Sequence, residues 1–382
     1  RFDLQLEEDL IEEVARMVGY NNLPTNAPLA PITPKIRPEG TRSPFAVRRI
    51  LAGLGYQETI NFSFVDASWE HELAANPNPI KLLNPIASQM SVMRSSLIGS
   101  LLQVLKFNAD RKASRVRVFE LGRVFLRDAS VTDSITTVSG FDQPMRVAGV
   151  AWGSQASTQW GMTERAVDFY DIKGDVEALL APFKPVFVPA EHPSLHPGRT
   201  AAVQLDGQTI GHVGELHPRW RQKWGFASSP LVFELDLDPV LARRVPAFEP
   251  VSRLQPVTRD IAVVLGDQVT YAAVESAIRS ADTGSLLRDV TLFDLYRPKV
   301  QKEGAVVQGG LAAGEKSLAI RLTLHGGDNT LTDEQIEAAN DYVCGTMMLE
   351  GAPGLKDEHL PVFDCANKCG QKGERYIHAH GH

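Results

Sequence analysis

Hydrophobic and polar positions follow two periods along the chain, and the switches between them divide it into elements. In EEDLIEEVARMVGY, Leu10, Val14 and Val18 recur at helical spacing with Ile11 and Ala15 beside them, which predicts a helix from about Glu8. The preceding FDLQL alternates as a strand does. Residues 21–40 carry five prolines and read as an extended linker. Phe45, Val47, Ile50, Leu51 and Leu54 then predict a helix over Ser43–Leu54, ended by Gly55. YQETINFSFVD alternates and predicts one half-buried strand, and SSLIGSLLQVLKFNADRK (95–112) predicts a strong helix. The strands RVRVFELGRVF and MRVAGVAWG follow, separated by a loose loop, RDASVTDSITTVSGFDQP.

YDIKGDVEALLAPF is a further helix, and AAVQLDGQTIGHVGELH (201–217) is a hairpin that turns at Asp206-Gly207. LVFELDLDPVLARR adds a strand and a short helix before the Pro-rich PAFEPVSRLQPV (246–257), a second boundary. Beyond it come the strand DIAVVL, the helix TYAAVESAIRSA, the strands LRDVTLFDLY and KSLAIRLTLH, and the helix TDEQIEAANDYV. That βαββα series is most of a ferredoxin-like unit. The expected fold class is therefore α+β: an antiparallel sheet domain with helices, plus a C-terminal ferredoxin-like domain.

Length and charge narrow the function classes. At 382 residues the chain has room for two or three domains. With 39 cations against 46 acids and a net charge of −7, it is no general polyelectrolyte partner for nucleic acid, so any RNA contact must come from a local basic patch. No apolar run approaches the roughly 18 residues of a membrane span, and no signal peptide is evident. The three cysteines (Cys344, Cys365, Cys369) all fall in the last forty residues, which fits a reducing cytoplasm. Arg1, in place of Met, suggests a start inside a longer gene product.

The chemistry-bearing positions are few. Asp9, Glu12 and Glu13 are spaced i, i+3 and i+4, opposite the apolar stripe, and Asp3 precedes them. Their mutual repulsion would be relieved by a hard cation such as Mg²⁺; equally, such acids suit a solvated first helical turn. HPSLHPGRTA has no acid or Cys at ligand spacing and reads as a rigid turn. GGLAAGEKS is not a phosphate loop, because Glu315 separates Gly314 from Lys316. Arg115, Arg117 and Arg123 are either phosphate-gripping groups or salt-bridged arginines.

RFDLQLEEDLIEEVARMVGYNNLP resembles the end of the B5 module of bacterial phenylalanyl-tRNA synthetase β chains. LLNPIASQMSVMRSSLIGSLL, RVFELGRVF, YDIKGDVEALL, HPGRTA, GHVGELHP, PVTRDIAVVL, LFDLY and KSLAIRLTL with TLTDEQI resemble later segments of that family, in order, from residue 1 to about 340. The resemblance implies four regions: the C-terminal part of B5 with a linker (1–38), a non-catalytic class II synthetase-like core (41–245), a ferredoxin-like anticodon-binding domain (253–343) and a foreign-looking tail (344–382). RRILAGLGYQETINFSF resembles class II motif 1, an interface element, and no Gly-rich motif 3 with its arginine is present.

By the same resemblance, Asp3, Asp9, Glu12 and Glu13 would hold a Mg²⁺ shared with an α subunit that uses ATP. Two α and two β chains would assemble and attach phenylalanine to its tRNA in the cytoplasm, with no catalytic residue in this chain. The editing half of such β chains lies before the matched part, so no editing is expected. Phe293, Tyr296, Arg297 and Lys299 are the expected tRNA contacts, since splayed bases are held by aromatics and cations. The loop KVQKEGAVVQGGLAAGEK is longer than the family usually has there. Around VFDCANKCG the tail resembles adenosylcobalamin-dependent ribonucleotide reductases, and Cys365, Cys369, His378, His380 and His382 could also be read as a zinc set. A non-enzymatic RNA-binding or assembly protein reusing these folds is the alternative reading of the whole.

Overall fold

Strand pairing sorts the chain into two main sheets, one in each of two units, Arg1–Pro246 and Ala247–His382. The computed structural model describes residues 2–27, 29–32, 34, 36, 38–248, 252–297, 311, 314–327 and 329–349. Lys299, the long loop around it and the cysteine- and histidine-bearing tail beyond 349 lie outside the described residues, and with them the reductase-like and zinc readings. Among the described residues no helix is long and apolar enough to cross a membrane.

The first unit opens with α1 (Glu7–Val18), α2 (Pro44–Gly53), and the short β1 (Gln57–Glu58) and β2 (Phe64–Val65). Then come α3 (Ala67–Glu72), β3 (Val92–Met93), α4 (Ile98–Asp110) and the long β4 (Arg115–Arg123). A short pair, β5 (Leu126–Arg127) and β6 (Phe141–Asp142), precedes β7 (Met145–Gly153) and α5 (Phe169–Leu180). β8 (Val186–Pro189), β9 (Leu195–Leu205), β10 (Gln208–Leu216), α6 (Pro218–Trp224), β11 (Leu231–Asp236) and α7 (Leu237–Leu241) complete it.

Seven strands pair in the order β1-β4-β7-β11-β10-β9-β8, with β1 and β4 parallel and the other pairs antiparallel. Both faces are covered, which is why β4 is buried from Val116 to Gly122 and does not simply alternate. Phe119 and Leu121 join Val47 and Leu51 of α2 and Ile172, Val176 and Leu179 of α5 in one core. Val116 and Val118 face the other way, toward Ile98, Leu101, Leu102 and Leu105 of α4 and Trp220 of α6. Each such aliphatic side chain contributes about 1.5–3 kcal/mol by leaving water. The β9–β10 hairpin turns at Asp206 and Gly207 as expected; both have positive φ (49° and 79°), the geometry that matches strand twist across a two-residue loop.

The second unit is β12 (Val257–Gly266), α8 (Tyr271–Ser280), β13 (Leu287–Tyr296), β14 (Glu315–Leu324) and α9 (Asp333–Leu349), with the sheet order β12-β14-β13, antiparallel throughout. Ile261, Val263, Leu265, Leu318, Ile320 and Leu322 pack against Val274 and Ile278 of α8 and Val343, Cys344 and Met347 of α9. The α+β expectation and the ferredoxin-like unit therefore hold.

Several local expectations need correction. FDLQL forms no strand, because its Gln5 and Leu6 N–H groups bond to the Asp9 carboxylate instead of a neighbouring chain. YQETINFSFVD is two short strands, one paired with β4 and one with β3. The loop after β4 contains the β5–β6 pair. HPSLHPGRTA is no free turn: from Leu195 onward it is β9. The last helix runs past Val343 to Leu349, since Ile336, Ala339, Val343 and Met347 continue one buried stripe.

Candidate functional site

The acids of α1 share a helix but do not converge. Asp9 caps the helix: its Oδ2 accepts the backbone N–H groups of Gln5 (2.8 Å) and Leu6 (2.9 Å), which hold its pKa below the usual carboxylate value. Glu13 pairs with Arg16 at 2.6 Å, and Glu12 is exposed. Asp3 lies in the turn before the helix, not at a strand end. All four supply hard oxygen donors, the right kind for Mg²⁺. Yet among the described residues no three His, Cys, Asp or Glu side chains gather as a metal site needs. The chain therefore offers the donor chemistry without the geometry. The apolar side of α1 is unburied too: Leu10, Ile11, Val14 and Met17 are each more than half exposed.

On the α4 side of the first sheet, charges are paired in the interior. Arg94, only 2% exposed, donates to Glu120 at 2.8 Å and to the Arg123 carbonyl. A Cβ at Gly122 would stand 2.3 Å from the Arg94 guanidinium, so glycine lets the pair cross the strand. Glu120 also accepts from the Asn61 amide. Glu234 accepts from the Leu97 N–H, the Ser96 hydroxyl and Arg146. Burial raises its pKa against the pull of Arg146. Glu70 takes the N–H and hydroxyl of Ser95 and the Asn76 amide. The His192 and His212 rings lie 5.0 Å apart, and burial, with the charges of His212 and Arg146, lowers His192 to about 4. These side chains occupy one another and fasten the start of α4. They support packing more readily than proton transfer to a substrate.

Of the three arginines weighed in β4, Arg117 is salt-bridged to Asp175 (2.7 Å) and Arg123 donates to the Gln143 carbonyl. Arg115 has neither a hydrogen-bond acceptor nor an ion-pair partner among the described residues.

In the second unit the face of the sheet opposite the helices is open. A bulge between Leu292 and Asp294 leaves Phe293 unpaired and 52% exposed. The Arg321 guanidinium lies 5.2 Å from the Phe293 ring centroid and forms a two-pronged bridge to Asp260, both bonds 2.7 Å. Tyr296 is also exposed, at the strand end, and Arg297 pairs with Asp267 at 3.2 Å. Arg321 was missed in the sequence, although its place between buried Ile320 and Leu322 on alternating β14 puts it on the open face. Lys316, the lysine of the false phosphate loop, is buried and donates to the Asp267 and Val269 carbonyls.

Comparison with known families agrees with this division. A family model described as the phenylalanyl tRNA synthetase beta chain CLM domain matches residues 23–237, and one for the ferredoxin-fold anticodon binding domain matches 252–348. A synthetase-type sheet domain followed by an anticodon-binding domain defines the class, an aminoacyl-tRNA synthetase chain. The chain belongs to the phenylalanyl-tRNA synthetase β chain family. It is 50% identical over 347 residues to the phenylalanine–tRNA ligase beta subunit of Ralstonia nicotianae, covering 90% of this chain and 42% of the relative. The beta subunits of Burkholderia pseudomallei (48% over 342 residues, 89% and 42%) and Bordetella bronchiseptica (46% over 342 residues, 88% and 42%) are similar. The chain thus spans about two fifths of the length of these relatives.

Proposed function

We propose that this chain acts as the C-terminal part of a phenylalanine–tRNA ligase β subunit. It supports ATP-dependent attachment of phenylalanine to its tRNA in the cytoplasm, by assembling with an α subunit and by binding the anticodon region. ATP is used by the α subunit, and two α and two β chains form the working enzyme. The observation that carries this reading is the pairing, in one chain, of a synthetase-type sheet domain with a ferredoxin-fold domain whose sheet face is open. On the α4 side of the first sheet, Arg94 is engaged with Glu120 and Arg146 with Glu234, which supports a structural role for that side of the unit.

On the open face, Phe293 offers a ring for a splayed base and Arg321 a cation beside it, with Tyr296 and Arg297 at the strand end; Lys299, the fourth expected contact, lies outside the described residues. Asp3, Asp9, Glu12 and Glu13 serve a Mg²⁺ site only as part of a junction with the α subunit. Among the described residues they do not converge, and Asp9 and Glu13 are engaged with the Gln5 N–H and with Arg16.

The test is co-expression with a cognate α subunit tagged on α, followed by purification and phenylalanylation of tRNA. Co-purification with activity is the expected result. A folded chain that neither co-purifies with α nor binds the tRNA would overturn the reading.

A further inference from the structure

At the start of β4, two arginines that the proposed function leaves unused line a cavity. Arg115 and Arg117 share the strand face of Phe119, opposite the Arg94–Glu120 pair, because successive residues of a strand point to opposite faces. With Gln155, Ser157 and Gln159 of the segment after β7 and Asp175 of α5, they border about 360 Å³ of space. That size is within the range of small-ligand pockets, about 300–1,000 Å³.

The polar groups around it are unevenly satisfied. Arg117 has a side chain only 5% exposed; it donates to Asp175 Oδ2 at 2.7 Å, and the same oxygen accepts the Tyr56 hydroxyl at 2.8 Å. Asp171, the other acid at the cavity, is held by both prongs of Arg165 at 2.6 Å. The Nε atoms of both Arg115 and Arg117 are buried without an acceptor among the described residues. Among the described residues Arg115 has no carboxylate within ion-pair distance, and burial, reinforced by the charge of Arg117, weakens its hold on its proton. A guanidinium is a planar fork of donors that matches a carboxylate or phosphate, and a buried donor left unmatched is costly.

We propose that this cavity binds a small ligand through its carboxylate or phosphate group, received by the Arg115 guanidinium and flanked by Gln155, Ser157 and Gln159. The residues that line it all belong to the first unit, and none of them is an acid of α1.

The test is calorimetric titration of the full chain with inorganic phosphate and, separately, with acetate, at constant ionic strength set by chloride. The same titrations are run on Arg115→Gln and Arg115→Lys. Saturable one-to-one binding of one anion is expected, weakened about tenfold or more in Arg115→Gln and partly restored in Arg115→Lys. Binding of phosphate alone assigns a phosphoryl ligand, and of acetate alone a carboxylate. No saturable binding of either anion to the folded wild-type chain overturns the proposal, and so does equal binding by Arg115→Gln. The wild-type titration decides the matter even if that variant fails to fold.

Discussion

The two sheets use ion pairs in opposite ways. In the first unit both faces are covered, so Arg94–Glu120 sits in the interior and Arg146–Glu234 is partly buried, and each must be matched by further hydrogen bonds. In the second unit, among the described residues, the helices cover one face, and the Arg321–Asp260 bridge on the other, with better two-pronged geometry, has both side chains nearly half exposed. Geometry alone would rank the exposed bridge higher. Burial reverses the ranking, because removing one partner of an interior pair strands a charge, whereas water takes over at the surface.

The sharpest way to break this comparison is Glu120→Ala, which leaves Arg94 charged and buried. It should cost about 3–5 kcal/mol in the urea unfolding of the first unit. A loss no larger than that of a surface pair would remove the distinction. Next in size is the pH response of His192. Its folded pKa of about 4 lies below its ordinary value of 6.5, so the folded chain binds fewer protons between the two. Stability is therefore present above pH 6.5 and is lost as the pH falls through 4, by up to about 3 kcal/mol. Glu234, whose folded pKa is raised, works in the opposite sense, favouring the fold at low pH and losing that contribution as pH rises through its folded value. Comparing melting temperatures of wild type and His192→Gln from pH 7 to 4 isolates the histidine: the gap between them should narrow or invert on acidification.

Phe293→Ala tests the open face as a binding surface. It should leave unfolding nearly unchanged, since Phe293 is half exposed, while weakening tRNA binding by about 1–3 kcal/mol in a filter-binding titration. Unchanged tRNA affinity would return Phe293 to the status of an ordinary surface aromatic. The smallest effect belongs to Asp260→Ala. An exposed bridge contributes about 0–1 kcal/mol, so denaturant unfolding of the second unit should shift by less than that, and less still in high salt.

What could be read in the sequence was what local pattern decides. LRDVTLFDLY proved to be one strand over Leu287–Tyr296, and Asp206-Gly207 turned a hairpin, because alternation and positive-φ residues are local signals. FDLQL alternates just as well yet forms no strand, since alternation says nothing about whether a neighbouring strand exists. YQETINFSFVD was split by contacts distant in sequence: the Thr59 N–H bonds to the Phe119 carbonyl and the Asn61 amide to Glu120. The acids of α1 could be seen as a cluster, but not the commitment of Asp9 to the backbone before it. The interior pairs and the Arg115 cavity were illegible for the same reason. They join positions up to about a hundred residues apart, and only the folded sheet sets them side by side.

Lys316 is caught between two backbone carbonyls, at 2.9 Å from that of Asp267 and 2.5 Å from that of Val269, in the loop that leads from β12 into α8. An amine-reactive reagent needs the nitrogen lone pair free and within reach. Here the nitrogen is enclosed, and it becomes accessible only when β14 parts from that loop. The exposed lysines of the chain should thus be acylated first and Lys316 last. Its rate of modification, followed by mass spectrometry, would then count the openings of the ferredoxin-like unit, giving that unit a built-in clock for its own unfolding.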